Sequence, residues 1–172
     1  MGAGKHGGFG NTLGSKHFSN TKTNSQKKGI LKVVKANHTR ESLIEEIDGH
    51  TNISTAIAKK IQSGDIHINV LADRLFSEYL GAKEKTVAIT IGKQIYLRAS
   101  SASIISDLVH EGNHALEYIS GISPNNIRTW PGEIRAYKAE REFQIKTNRP
   151  VDFPNENDLL IHVWRNYERE VK

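Results

Sequence analysis

Residues 107–118 read DLVHEGNHALEY, and within them His110, Glu111 and His114 form the pattern His-Glu-x-x-His. On an α-helix, positions i and i+4 share a face one turn apart, so both imidazoles can reach one tetrahedral ion at about 2.0–2.1 Å. Glu111 is turned by about 100° around the helix, off the ion but within reach of a water beside it. A metal-assisted hydrolase needs these parts: zinc polarises a water and a carbonyl, and the glutamate moves the water's proton to the leaving amine. The chain has no cysteine and eight histidines, so any metal must be held by His, Asp or Glu. Two histidines leave zinc one protein ligand short. Glu133, nineteen residues after His114 in GEIRAYKAE, lies near the start of the next expected helix. Glu140 lies two turns further along the same face and is the alternative ligand.

Acyl transfer also calls for a donor to the oxyanion of the tetrahedral intermediate. Tyr137, four residues after Glu133, is the first choice, with Arg135 and His162 as alternatives. His162 lies between Ile161 and Val163, which favours a structural role. Asp107 is placed either to accept an imidazole N–H or to sit on the helix surface. Asn113 either lines the site or faces solvent. His38 and His67 have no partners at ligand spacing.

The motif needs a helix to present it, and SSASIISDLVHEGNHALEYISG reads as one. Serines open it, Gly121 closes it, and Ile105, Leu108, Val109, Leu116 and Ile119 recur at helical spacing. Gly112 lies on that stripe, where a glycine implies close packing against a neighbour. Ahead of it, TVAITIGKQIYLRA is the clearest β segment, with antiparallel strands near 86–91 and 94–98 and a tight turn between. Tyr96 and Ile95 border a substrate cleft if theirs is the edge strand. DIHINVLADRLFSEYLG reads either as a strand near 66–70 followed by a helix, or as one longer helix ended by Gly81. Upstream, GILKVVK (29–35) reads as a short strand, and TRESLIEEI and NISTAIAKKIQ read as helices capped by Thr39 and Asn52. Downstream, WPGEIRAYKAEREFQIKT reads as a helix with Pro131 in its first turn. NENDLLIHVWRNYEREVK reads as another, with Leu159, Leu160, Val163, Trp164 and Tyr167 on its apolar face.

The 172 residues suit one domain with a tail. No apolar run approaches the ~18 residues of a membrane span, and the N-terminus lacks the apolar core of a signal peptide. The net charge of +5 is unevenly placed: residues 1–40 hold eight basic residues and no acid, leaving 16 basic against 19 acidic in 41–172, a net of -3. The expected organisation is a flexible, basic Gly/Ser/Asn-rich arm over 1–29 and a catalytic domain over 30–172. The acidic balance of the domain argues against specific nucleic-acid binding, which would have to work through the arm. GAGKHGGFG lacks the spacing of a phosphate-binding loop.

HEGNHALEY followed by GEIRAYKAE resembles zincin metallopeptidases of the glutamate-ligand, gluzincin-like kind. With AITIGKQIYL ahead of it, the stretch from about 85 to 145 also resembles peptidase domains at the C-termini of bacterial polymorphic toxins. The resemblance implies an α+β, zincin-like fold, with a small antiparallel sheet packed against the His-Glu-x-x-His helix and further helices. It implies Zn2+ held by His110, His114 and Glu133, with Glu111 as base. The Gly-Asn inside the motif departs from the bulky apolar residue many such relatives carry. The expected activity is hydrolysis of a protein or peptide substrate. A toxin context adds delivery as part of a longer bacterial protein and a cognate immunity or inhibitor protein. The alternatives are a cytosolic regulatory metallopeptidase and an inactive zincin-like module that binds a peptide or partner without cutting it.

Overall fold

The computed structural model describes residues 38–125 and 127–167. The basic arm and the strand expected over 29–35 lie outside the described residues. Chain order is α1 (Arg40–Ile47), α2 (Asn52–Gln62), β1 (His67–Leu71), α3 (Asp73–Leu80), β2 (Ala88–Ile91), β3 (Gln94–Arg98), α4 (Ile104–Ile119), α5 (Trp130–Lys146) and α6 (Glu156–Tyr167). The fold is α+β, with six helices and one three-stranded sheet among the described residues. None of these helices is long and apolar enough to cross a membrane.

The sheet, expected to be antiparallel, is mixed. Strand order is β1-β3-β2, with β2 and β3 antiparallel and β1 parallel to β3. Ile91 and Gln94 face each other across a two-residue turn in which Gly92 takes φ +61°. Only a residue tolerant of the left-handed region suits that turn. His67–Leu71 form a strand rather than part of a longer helix, and β3, reached through α3 and β2, comes back parallel to β1. β3 is the central strand, so Ile95 and Tyr96 do not border an edge. Ile95 is buried in the core, and Tyr96 lies against Tyr79.

Local signals place most helix ends. Thr39 caps α1 by accepting from the Ser42 amide. For α2 the cap is Thr51 rather than Asn52, in a reciprocal capping box with Ser54. Thr129 accepts from the Gly132 amide to open α5, and Pro131 follows in the first turn.

α4 is the spine of the molecule. Its apolar residues Ile104, Ile105, Leu108, Val109 and Ala115 join one core with α1, α2, the sheet and Phe143 of α5. A second cluster, Tyr137, Phe153, Leu159, Val163 and Tyr167, seals α6 onto α5. Leu160 and Trp164, expected on the apolar face of α6, are instead exposed. The buried stripe runs i, i+4, i+8 through Leu159, Val163 and Tyr167, and Leu160 and Trp164 fall to one side of it.

Gly112 lets α4 and α2 touch. A Cβ there would lie 2.7 Å from both Ile57 Cδ1 and Cγ2, and 2.9 Å from Cγ1. Two of those three carbons sit on the stiff β-branch, which cannot swing aside. We predict that Gly112→Ala lowers stability by roughly 1–2 kcal/mol in urea unfolding, the overpacking penalty exceeding the helix-propensity gain. In an Ile57→Ala background the same change should become neutral or stabilising. Equal losses in both backgrounds would reject the packing account.

Candidate metal centre

α4 carries His110 and His114 on one face, their ring centroids 5.1 Å apart. Across from them, the first turn of α5 presents Glu133, fully buried, where the positive end of the helix favours a carboxylate. Glu133 Oε2 lies 3.6 Å from His110 Nε2, and Oε1 lies 3.4 Å from His114 Nε2. The three residues each offer a ligand atom, all within 4.8 Å of one another. Donors sharing a tetrahedral ion at about 2.0–2.1 Å stand about 3.3–3.4 Å apart, close to the separations here.

Two of these atoms are stranded. His114 Nε2 and Glu133 Oε2 are buried and make no hydrogen bond. Buried polar atoms are nearly always satisfied within a fold, so two convergent exceptions mark a place for a further ligand. A nitrogen, nitrogen and oxygen donor set could hold a metal ion.

Glu140 is not the third donor at this point. It lies behind His110, with Oε2 3.1 Å from Nδ1. A carboxylate there draws the Nδ1 proton and leaves Nε2 to face Glu133. Gln144 Nε2 in turn donates to Glu140 Oε1 at 3.4 Å and to Asp152 Oδ2 at 2.9 Å. Burial works against a charged His110, but Glu133 and Glu140 outweigh it and raise the imidazole to about 10. Burial likewise opposes ionisation of Glu133, yet Arg128 and the two histidines hold its carboxyl well below the usual range.

Glu111 is fully buried one position along α4. Its backbone carbonyl accepts from Thr90 Oγ1 at 2.8 Å, pinning the edge strand β2 beside the motif. Its carboxylate is gripped by Arg128, whose Nη2 donates to Oε1 at 3.1 Å and to Oε2 at 3.0 Å. Arg128 Nη1 donates to Glu133 Oε1 at 3.2 Å. Nothing in the spacing singles out Arg128, a loop residue with no periodic relation to the motif. The signal that could have found it is charge: two buried carboxylates call for a buried cation.

Tyr137 packs its ring edge-on against His110, centroids 4.4 Å apart. Its hydroxyl is shared with Tyr167 at 3.3 Å and with His162 Nε2 at 3.2 Å. Tyr167 thus joins the site wall from α6, a placement its apolar-stripe position did not suggest. Burial and then the Glu133 carboxylate raise its hydroxyl above the usual tyrosine range. Arg135 pairs with Glu117 at 2.6 Å. Asn113 does not face solvent: it is buried and donates to the same Glu117 Oε1, and Glu117 lines a cavity beside His114. His38 and His67 stand outside the cluster.

Asp107 is buried rather than on the surface, and accepts from Ser101 and Ser103. Burial pushes its carboxyl up to about 7, with the charge of Glu140 adding to the effect. Between the unfolded value near 3.9 and 7, the folded state binds the extra proton, so stability falls as pH rises through that window. We predict that thermal unfolding of metal-free protein shows this loss, a few kcal/mol at most, and that Asp107→Asn removes it. An unchanged pH profile in the variant would refute the assignment.

No family model, no curated protein and no solved structure matches this chain.

Proposed function

We propose that this chain is a zinc-dependent metallopeptidase of the zincin type, hydrolysing peptide bonds in a protein target. The observation that carries the reading is the convergence of His110, His114 and Glu133 from two helices, with Glu111 buried alongside. A His2Glu set with an open position is the donor pattern of catalytic zinc. Zinc, when bound, supplies Lewis acidity and lowers the pKa of water.

The chain's own residues account for the rest. Glu111 accepts a proton from water as the hydroxide oxygen joins the carbonyl carbon, then returns it to the amine as the C–N bond breaks. Glu140 holds His110 in the tautomer that offers Nε2. Edge strand β2, tied to α4 through Thr90, offers backbone groups for pairing with an extended peptide. The helix pair α4–α5 with a sheet on α4 supports the gluzincin-like reading. Within it we favour the toxin or effector context and its immunity protein, on the local resemblance alone.

The tight Arg128–Glu111 pairing favours a second reading, a zincin-like module that binds a peptide without cutting it. Digestion of denatured protein mixtures by the zinc-loaded chain separates the two. Cleavage that a chelator stops and zinc restores supports the peptidase; stoichiometric zinc with no cleavage of any protein tested overturns it in favour of the module.

A further inference from the structure

Resting on that reading, we propose that Arg128 is a latch that competes with the metal: it neutralises Glu111 and Glu133 before loading and is displaced from Glu133 when the ion enters. The guanidinium bridges both carboxylates, through Nη1 to Glu133 and Nη2 to Glu111. Its side chain is 14% exposed, so this is a buried ion triad rather than a surface pair. The oxygen Arg128 takes on Glu133, Oε1, is the one nearest His114 Nε2. A divalent ion held by His110, His114 and the open Oε2 would meet a positive charge on the other oxygen of the same carboxylate. Burial amplifies that repulsion.

The latch also lines the space beside the metal ligands. Arg128 and Ile127 line a cavity beside His114 of about 20 Å³, room for about one water and too small for a peptide. The connection from α4 to α5 carries both residues, with Ile122 and Ile127 exposed on its outside. While Arg128 donates to both oxygens of Glu111, its positive charge lowers the basicity of that carboxylate. Release of the guanidinium frees Glu111. Loading the ion and freeing the base are thereby one event.

The test compares the full-length wild type with Arg128→Met and Arg128→Lys, measuring zinc affinity by competition with a chromogenic chelator. A background carrying Trp164→Phe leaves Trp130, two residues from Arg128, as the sole tryptophan, excited selectively at the red edge of its absorption. The latch requires Arg128→Met to bind zinc about tenfold tighter or more, with Arg128→Lys near wild type. It requires zinc to shift Trp130 emission in wild type and to change it little in Arg128→Met. Metal-free Arg128→Met should melt below wild type, its buried carboxylates uncompensated, and gain more from zinc. Equal or weaker zinc binding by Arg128→Met, or a silent Trp130 in wild type, overturns the latch while leaving the peptidase reading intact. Absence of zinc binding in all three proteins overturns both.

Discussion

Alanine at His114 should leave a folded protein that no longer retains metal through purification. The side chain lies at the rim of the core, 12% exposed, with Nε2 making no hydrogen bond that the fold would lose. Spreading a zinc-binding energy of about 10–16 kcal/mol over four ligands assigns about 3 kcal/mol to each, so affinity should drop more than about a hundredfold. Elemental analysis of wild type and variant purified in parallel, free of chelator, reads this directly. Metal near one equivalent in both proteins would remove His114 from the site. None in either, even after zinc is added back, would return residues 107–118 to the role of an ordinary buried helix.

Glutamine at Glu111 should separate binding from chemistry. The carboxylate is no ligand in the His110–His114–Glu133 group, so metal content should match wild type. Cleavage should fall by about 10²–10⁴, the usual contribution of a positioned general base. The amide keeps the shape of the side chain but sets an N–H2 against Arg128 Nη2, which donates to both oxygens in the native site. Some rearrangement of the connection before α5 follows from that clash of donors. kcat/KM at saturating zinc, measured on a substrate found with the wild type, is the deciding quantity. A variant as active as wild type would show that Glu111 is not the base.

Comparing what was legible from order alone with what was not, the divide falls between local and distant relations. Thr39, Pro131 and Gly121 sit where a chain entering or leaving a helix needs them, so helix ends could be read with errors of a residue, as at Thr51. The β2–β3 hairpin was legible because its turn is two residues long. The parallel pairing of β1 with β3 was not, since it depends on how α3 packs. Gly112 advertised a close contact; its partner, Ile57, lies 55 positions away and left no trace in spacing.

The site divides the same way. The sequence by itself determined that His110 and His114 face one way and that Glu111 stands beside them, because 3.6 residues per turn dictates it. Glu133 and Glu140 differ by seven residues, almost two full turns, so they share a face and no periodicity argument can choose between them. They stand about 10.5 Å apart along the helix axis, and only the axial offset of α5 against α4 puts Glu133 at Nε2 and Glu140 behind Nδ1 of His110. Arg128 and Tyr167 reach the same centre by loop closure and by the docking of α6. Tertiary structure decided their roles because packing between elements, unlike the turn of one helix, is set by side chains far apart in the chain.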